Sequence, residues 1–307
     1  MLGLETPVER LQHMNQPAYE FYLNRNPGID LAADRLEIGV CAQHNNGGID
    51  VDLWWRSSIA GLFPVGEAAG AHGVARPGGA ALNSAQVGAT RAAQWIAARE
   101  QGAARADEGW QELAGDALQK ARSLLEAACG REESSGVLID DVLMESTRAM
   151  SDNAGLVRSR QGLEELARNV AEWRRRVVDE CVVDPTSRRS VDRLFLVRDI
   201  LDVQAVYVAA MLDHLDHGVG SRGSVLYTDP DGDLPVSWWN DGAGLDVEEI
   251  FRHRLDSKAH HGVTQRVSVD AVGEAIHAHW GPVRPIPTED EFLENVWKTY
   301  RVDHNIH

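Results

Sequence analysis

Paired cysteines are missing from this chain. Cys41, Cys129 and Cys181 stand far apart with no C-x-x-C among them, so there is neither a disulfide framework nor a thiolate set for an iron–sulfur centre. That usage suits a reducing compartment. Long apolar runs are also missing. The strongest, around residues 203–212, is far too short to span a bilayer. Residues 1–14 carry Glu5, Glu9 and Arg10 where a signal peptide would be apolar. Together these features predict a cytoplasmic protein. Basic residues are scarce, with 30 Lys and Arg against 47 Asp and Glu and a net charge of −17. Such a balance argues against nucleic acid or an anionic membrane surface as partner. No G-x-S-x-G occurs, which leaves a serine hydrolase without support.

What is present is a chain of 307 residues with ordinary globular composition, 43% apolar and 25% charged. It is long enough to bury a core and to form two or three compact units. The most informative stretch is 43–93. It predicts a short strand over 61–65, a loop rich in glycine (Gly66, Gly70, Gly73, Gly78 and Gly79), and a helix opening near Ala80 just after Pro77. A glycine loop feeding a helix start presents free N–H groups to an electron-rich ligand. The plainer readings are an ordinary strand–loop–helix, an ion pair between Arg76 and Glu67, and a packed loop histidine at His72.

The order of elements is more specific than any one of them. H-x-x-G-G at His44, Gly47 and Gly48 is followed by G-L-F-x-x-G-E ending at Gly66 and Glu67. Then come H-G-x-x-R-x-G-G, from His72 through Arg76 to Gly79, and a helix of small residues. This series resembles the flavin-contacting segment of the succinate dehydrogenase and fumarate reductase flavoproteins, a family that includes L-aspartate oxidase. The resemblance implies FAD as cofactor. It places Gly47, Gly48, Gly66, Glu67, Arg76, Gly79, Ala80, Ala81 and Leu82 around the cofactor, with Glu67 accepting from its ribityl or ribose hydroxyls. It also implies that the helix start faces the flavin pyrimidine edge, where a helix dipole favours the reduced, negatively charged ring. Arg76 takes the place that clamps a substrate carboxylate, work suited to a guanidinium fork. Either His44 or Gln43 stands at the family's histidine position. Where the family has Gly-Gly-Asn-Ser-Leu, this chain has Gly79, Ala80, Ala81 and Leu82, which leaves only backbone donors.

Elsewhere the pattern is mainly helical. It predicts a helix over 7–14 broken at Pro17, a turn at Asn26-Pro27-Gly28, a strand over 36–41, and continuation of the glycine-loop helix to about 105. A helix over 113–129 stops at Gly130, and nearly unbroken helix follows over 137–217. Leu194, Val197, Leu201, Val208 and Leu212 form the stripe of the last helix. Met150 with Gly155, Leu156, Val157 and Arg158 resembles an element of the family's helical domain, and Ser221-Arg222-Gly223 resembles the one that closes its last helix. Residues 218–223 also spell G-x-G-x-x-G, but with a helix before and a predicted strand (224–228) after, the reverse of a dinucleotide site. Asp229, Asp231 and Asp233 imitate half a calcium loop, with Leu234 where glycine is needed, so a plain turn is expected. His214 and His217 share a helix face without a carboxylate or cysteine at zinc-ligand spacing. The tail, rich in Trp and His, predicts helices near 247–254, 269–279 and 289–300.

The expected fold class is therefore α+β and mainly helical: the C-terminal part of an FAD-binding α/β domain (1–106), a helix bundle (107–218) and a C-terminal extension (219–307). The resemblance leaves out a Rossmann segment and a capping domain. It implies part of an FAD-dependent oxidoreductase that exchanges hydride between flavin and a succinate- or fumarate-like carboxylate, held by Arg76 and His44 or Gln43. Three explanations follow: a split subunit whose partner is a second chain bearing the Rossmann and capping segments, a fragment of a longer gene, or a relic retained for structure. The alternative is a redox-inactive scaffold that kept the fold.

Overall fold

The computed structural model describes residues 5–35, 46–73, 76–99, 109–132, 136–184, 186–223, 225–237, 242, 244–270 and 275–283, with 288, 295, 298, 299, 301 and 302 beyond them. The expected strand over 36–41, His44 and Gln43 lie outside the described residues. So does nearly all of the expected helix over 289–300.

The core belongs to a helix bundle. Helix α4 (Ile139–Ala154), α5 (Arg160–Asp179) and α6 (Arg188–Asp216) pack on one another. Helix α5 buries Leu163, Leu166, Val170, Trp173 and Val177, and α6 buries Leu194, Val197, Leu201 and Val208. The α5 stripe advances by alternating three and four residues, and so does α6 once buried Gln204 is counted, the spacing that keeps one helix face inward. Each apolar side chain of these stripes contributes about 1.5–3 kcal/mol by leaving water. Ser159 and Ser187 cap α5 and α6 by accepting from Gly162 and Ser190 amides. Helix α3 (Trp110–Cys129) joins through Ala128 and is stopped at Gly130, as expected.

Short parallel pairs tie the helix ends together. β1 (Val137–Leu138) pairs with β3 (Cys181–Val182), and β2 (Val157–Arg158) pairs with β4 (Leu226–Asp233). The thiol of Cys181, on β3, is pushed up to about 11 by burial, so it stays protonated and inert near neutrality. Helix α6 closes on Gly218 at φ +68, and strand β4 follows, so 218–223 is a helix-terminating loop. The acidic run at Asp229, Asp231 and Asp233 is part of strand β4, where a turn was expected. Arg254 pairs with Asp229 at 2.9 Å and reaches Asp231 at 3.9 Å.

The break expected at Pro17 is present two residues earlier: α1 (Pro7–Arg25) consists of two helical segments that meet at a non-helical Asn15 (φ −151, ψ 62). Asn15 Oδ1 accepts from the Ala18 amide at 3.2 Å, so it caps the second segment and leaves Pro17 in that segment's first turn, where a missing N–H costs little. The tail helix over 269–279 is instead a hairpin of β5 (Val263–Val269) and β6 (Ile276–Pro282), and 247–254 holds only a 3-10 turn at Glu249–Phe251. Side chains in β5 and β6 alternate between half-buried and exposed, the period of a strand lying on a helix layer. The strand over 61–65 is also absent. Val65 is extended (φ −131, ψ 162), and a 3-10 turn, Gly66–Ala68, follows it and carries Glu67. An extended segment becomes a strand only with a neighbour to pair with, and 61–65 has none among the described residues.

Candidate functional site

The glycine-rich segment is held by its own backbone. Ile49 N–H donates to Ala68 O at 2.9 Å, and Gly70 N–H donates to Ile49 O at 3.0 Å. A β-carbon on Gly48 would sit 2.6 Å from Ala68 O and 2.8 Å from Gly70 N, so only glycine fits there. A β-carbon on Gly47 would meet nothing within 4 Å, leaving an open side next to this zipped pair. The diglycine is thus divided: one glycine closes the loop and the other faces outward.

Gly66, at φ +65, turns the chain so that the 3-10 turn packs on α2 (Ala80–Arg99); its hypothetical β-carbon lies 3.7 Å from Ala85 Cβ. Gly79, at φ +79, makes the last bend before α2 opens at Ala80, where the expected helix begins. Ala80 N–H goes to Pro77 O and Asn83 N–H to Gly79 O. The intervening Ala81 and Leu82 amides belong to the first turn, whose N–H groups have no intrahelical acceptor. Ala80 and Ala81 are half-buried, and Leu82 is 72% exposed.

Arg76 connects two motifs thirty residues apart. One guanidinium nitrogen donates to Asn46 Oδ1 and to Gly73 O, each at 2.5 Å. Asn46 adjoins Gly47, so Arg76 and the diglycine share one place. Asn46 was not foreseen as a site residue; its signal was only its position between His44 and Gly47. His72 and Ala69 are buried beneath the loop. A second anchor comes from aromatic stacking. Trp55, at φ +58, covers Gly88 of α2, and Arg56 lies 4.0 Å over the Trp95 ring.

The donor set fits an anionic ligand that also carries hydroxyl groups: first-turn amides of α2, a carboxylate at Glu67, an open approach at Gly47 and the Arg76 cation. Comparison with known proteins identifies the fold. FrdA of the E. coli quinol fumarate reductase superposes with a TM-score of 0.68 at 20% identity, covering 92% of this chain and 43% of that one. The fold is that of the carboxy-terminal part of a fumarate reductase flavoprotein. A second quinol–fumarate reductase, solved with menaquinol molecules, matches at a TM-score of 0.62 and 21% identity over 92% of this chain and 44% of its own. In sequence, a fumarate reductase (CoM/CoB) polypeptide of Methanothermobacter marburgensis is 39% identical over 66 residues, 21% of this chain and 12% of that protein. No protein-family model matches. This chain therefore spans less than half the length of its structural relatives. Among the described residues, no helix is long and apolar enough to cross a membrane.

Proposed function

We propose that this chain supplies the flavin-facing half of an FAD-dependent oxidoreductase acting on a carboxylate substrate. The observation that carries the reading is Arg76 held against Asn46, beside Gly47. That contact joins the two motif segments a substrate site would need. FAD, when bound, supplies the two-electron acceptor or donor.

Each residue has a separate task in this reading. Amides of Ala81 and Leu82, with the α2 dipole behind them, hold the electron-rich edge of the ring. Gly47 and Gly79 let backbone approach it closely, and Gly48 and Gly66 keep the loop in shape. Glu67 accepts from cofactor hydroxyls. Arg76, anchored through one nitrogen, keeps the rest of its fork for a substrate carboxylate, and the fixed anchor reduces the entropy lost on binding. His44 or Gln43 completes the substrate contacts. The partition into 1–106, 107–218 and 219–307 belongs to the same proposal, as do a partner carrying the ADP-gripping segment and a cytoplasmic location.

Steady-state kinetics of the flavin-loaded assembly with succinate or fumarate test it. Arg76→Ala should raise KM or lower kcat/KM by roughly ten- to a hundredfold, the loss of a charge-assisted pair of about 1.5–3 kcal/mol, and leave the flavin spectrum unchanged. Full flavin loading with no turnover of any carboxylate would favour the redox-inactive scaffold.

A further inference from the structure

Helix α2 presents one face to two short turns. Ala85, Gly88, Arg91, Ala92 and Trp95 recur at three- and four-residue spacing, so they share one side of the helix. Ala85 faces the turn at Gly66–Ala68. Gly88, Arg91 and Trp95 face residues 53–56. The Trp55 indole covers Gly88, and Arg91 donates to Leu53 O at 2.9 Å. The Trp95 ring centre lies 5.5 Å from that of Trp54 and 4.0 Å from the Arg56 guanidinium carbon. Gly88 and Ala92 are the buried residues of α2, so this seam is where the helix is held.

The turn over 52–56 is fixed by its own hydrogen bonds. Asp52 Oδ1 accepts from the Trp54 and Arg56 amides at 2.8 and 3.0 Å, and its Oδ2 accepts from Arg56 Nε at 2.7 Å. The Asp52 amide closes the ring by donating to Arg56 O at 3.0 Å. Trp55 sits in this ring at φ +58, a left-handed conformation that is unfavourable for a bulky side chain. Its buried indole N–H meets no acceptor among the described residues, a second cost at the same residue. What offsets both is the fit to Gly88. A β-carbon there would lie 2.5 Å from Trp55 Nε1 and 2.6 Å from Cε2, so only a bare Cα lets indole and helix come this close.

We propose that Trp55, seated in the notch at Gly88, is a positioning residue for the flavin: it fixes where α2 stands and so how closely its first-turn amides approach the ring. This deepens the flavoenzyme reading above and rests on it. Helix α2 opens at Ala80, about 12 Å of helix before Gly88. A rigid helix carries a displacement at the notch to its start. The dipole there favours reduced over oxidised flavin, so the notch sets the redox poise of the cofactor. A methyl group at 88 would have to retreat by about 1 Å to reach ordinary carbon contact, taking the helix start with it.

The test is a double-mutant cycle in the full chain: Gly88→Ala, Trp55→Gly and both together. Each single change improves its own backbone, alanine within a helix and glycine at positive φ. Generic loosening would therefore not explain a loss. Amide exchange reads the lock without cofactor. Each single variant should speed exchange over 84–92 by about fivefold or more, with the bundle melt unchanged because its core contains no residue of this seam. The double variant should match Trp55→Gly within about twofold, since the methyl then fills the vacated notch. In the native, flavin-containing protein recovered from its own cells, the ratio of reduced to oxidised flavin at a fixed potential should fall about three- to tenfold, tenfold being about 30 mV for a two-electron couple. Unchanged exchange in the single variants, or effects that add, would overturn the lock and leave the flavoenzyme reading standing. Faster exchange with the potential unmoved in every variant that keeps flavin, or flavin shed by all three, would overturn the positioning role. Faster exchange in a protein whose native form carries no flavin would instead sink the flavoenzyme reading while the lock stands.

Discussion

Trp280 donates its indole N–H to Asp213 Oδ2 at 2.8 Å, and that oxygen also receives the Gln265 amide at 2.6 Å. One carboxylate on α6 thus fastens both strands of the β5–β6 hairpin to the bundle. Asp213→Ala strands two donors and should cost about 1–3 kcal/mol of local stability. Amide hydrogen exchange should speed up across β5 and β6 and stay slow in α5. Unchanged exchange in the hairpin would count against this latch.

Imidazoles surround the same indole: His217, His214 and His260 lie 5.0, 5.3 and 5.7 Å from the Trp280 ring. Burial holds His214 below its ordinary value of 6.5, Asp213 works against that shift, and Arg222, Arg158 and His260 reinforce it. The folded state therefore favours neutral His214. Its contribution is complete above the unfolded pKa near 6.5 and is lost as pH falls through the lower folded value. Hairpin protection should fall on acidification over that window, and His214→Phe should flatten the dependence. An equal pH response in the variant would assign the effect elsewhere.

Gly48 and Gly47 make a paired control. Gly48→Ala places a methyl 2.6 Å from Ala68 O, while Gly47→Ala meets nothing within 4 Å. Gly48→Ala should abolish flavin retention in the assembly and leave the bundle melt unchanged. Gly47→Ala should keep the loop, with any loss confined to ligand affinity. If both variants retain flavin equally, the close approach of 48 to 68–70 has no role in the site.

Leu166 is fully buried between α5 and its neighbours. Leu166→Ala should cost about 2–5 kcal/mol in denaturant unfolding monitored by helical circular dichroism. A change under about 1 kcal/mol would mean that the core collapses around the site more freely than close packing allows.

Much of this was legible in the sequence, and what was not has physical causes. Helices α5 and α6 were readable because their apolar residues keep one period over five turns or more. The loop at 218–223 was readable because context outranks its glycine spelling. His277 and His279 alternate in the sequence with the period of a strand, a signal that the helical expectation over 269–279 leaves unused. The hairpin became apparent only where Val263, Gln265 and Val267 pair with Pro282, Trp280 and Ala278. The expected strand over 61–65 does not form, because Gly61 turns the chain at φ +79 and extended Val65 has no second strand to pair with among the described residues. Asn46 was missed because its role depends on Arg76, thirty residues on. The left-handed Trp55 was missed because its partner is the bare face of Gly88.

Flavin stoichiometry tests the central claim most directly. FAD bound per chain is to be measured on the isolated protein and on its complex with the polypeptide that completes the fold. In the proposed assembly that second polypeptide grips the pyrophosphate and adenosine. Each of those hydrogen bonds is worth ~1 kcal/mol or more, so their loss removes affinity by orders of magnitude. The account predicts little or no FAD on the isolated chain and one per complex. Stoichiometric FAD on the chain alone, or a complete complex without flavin, would contradict it.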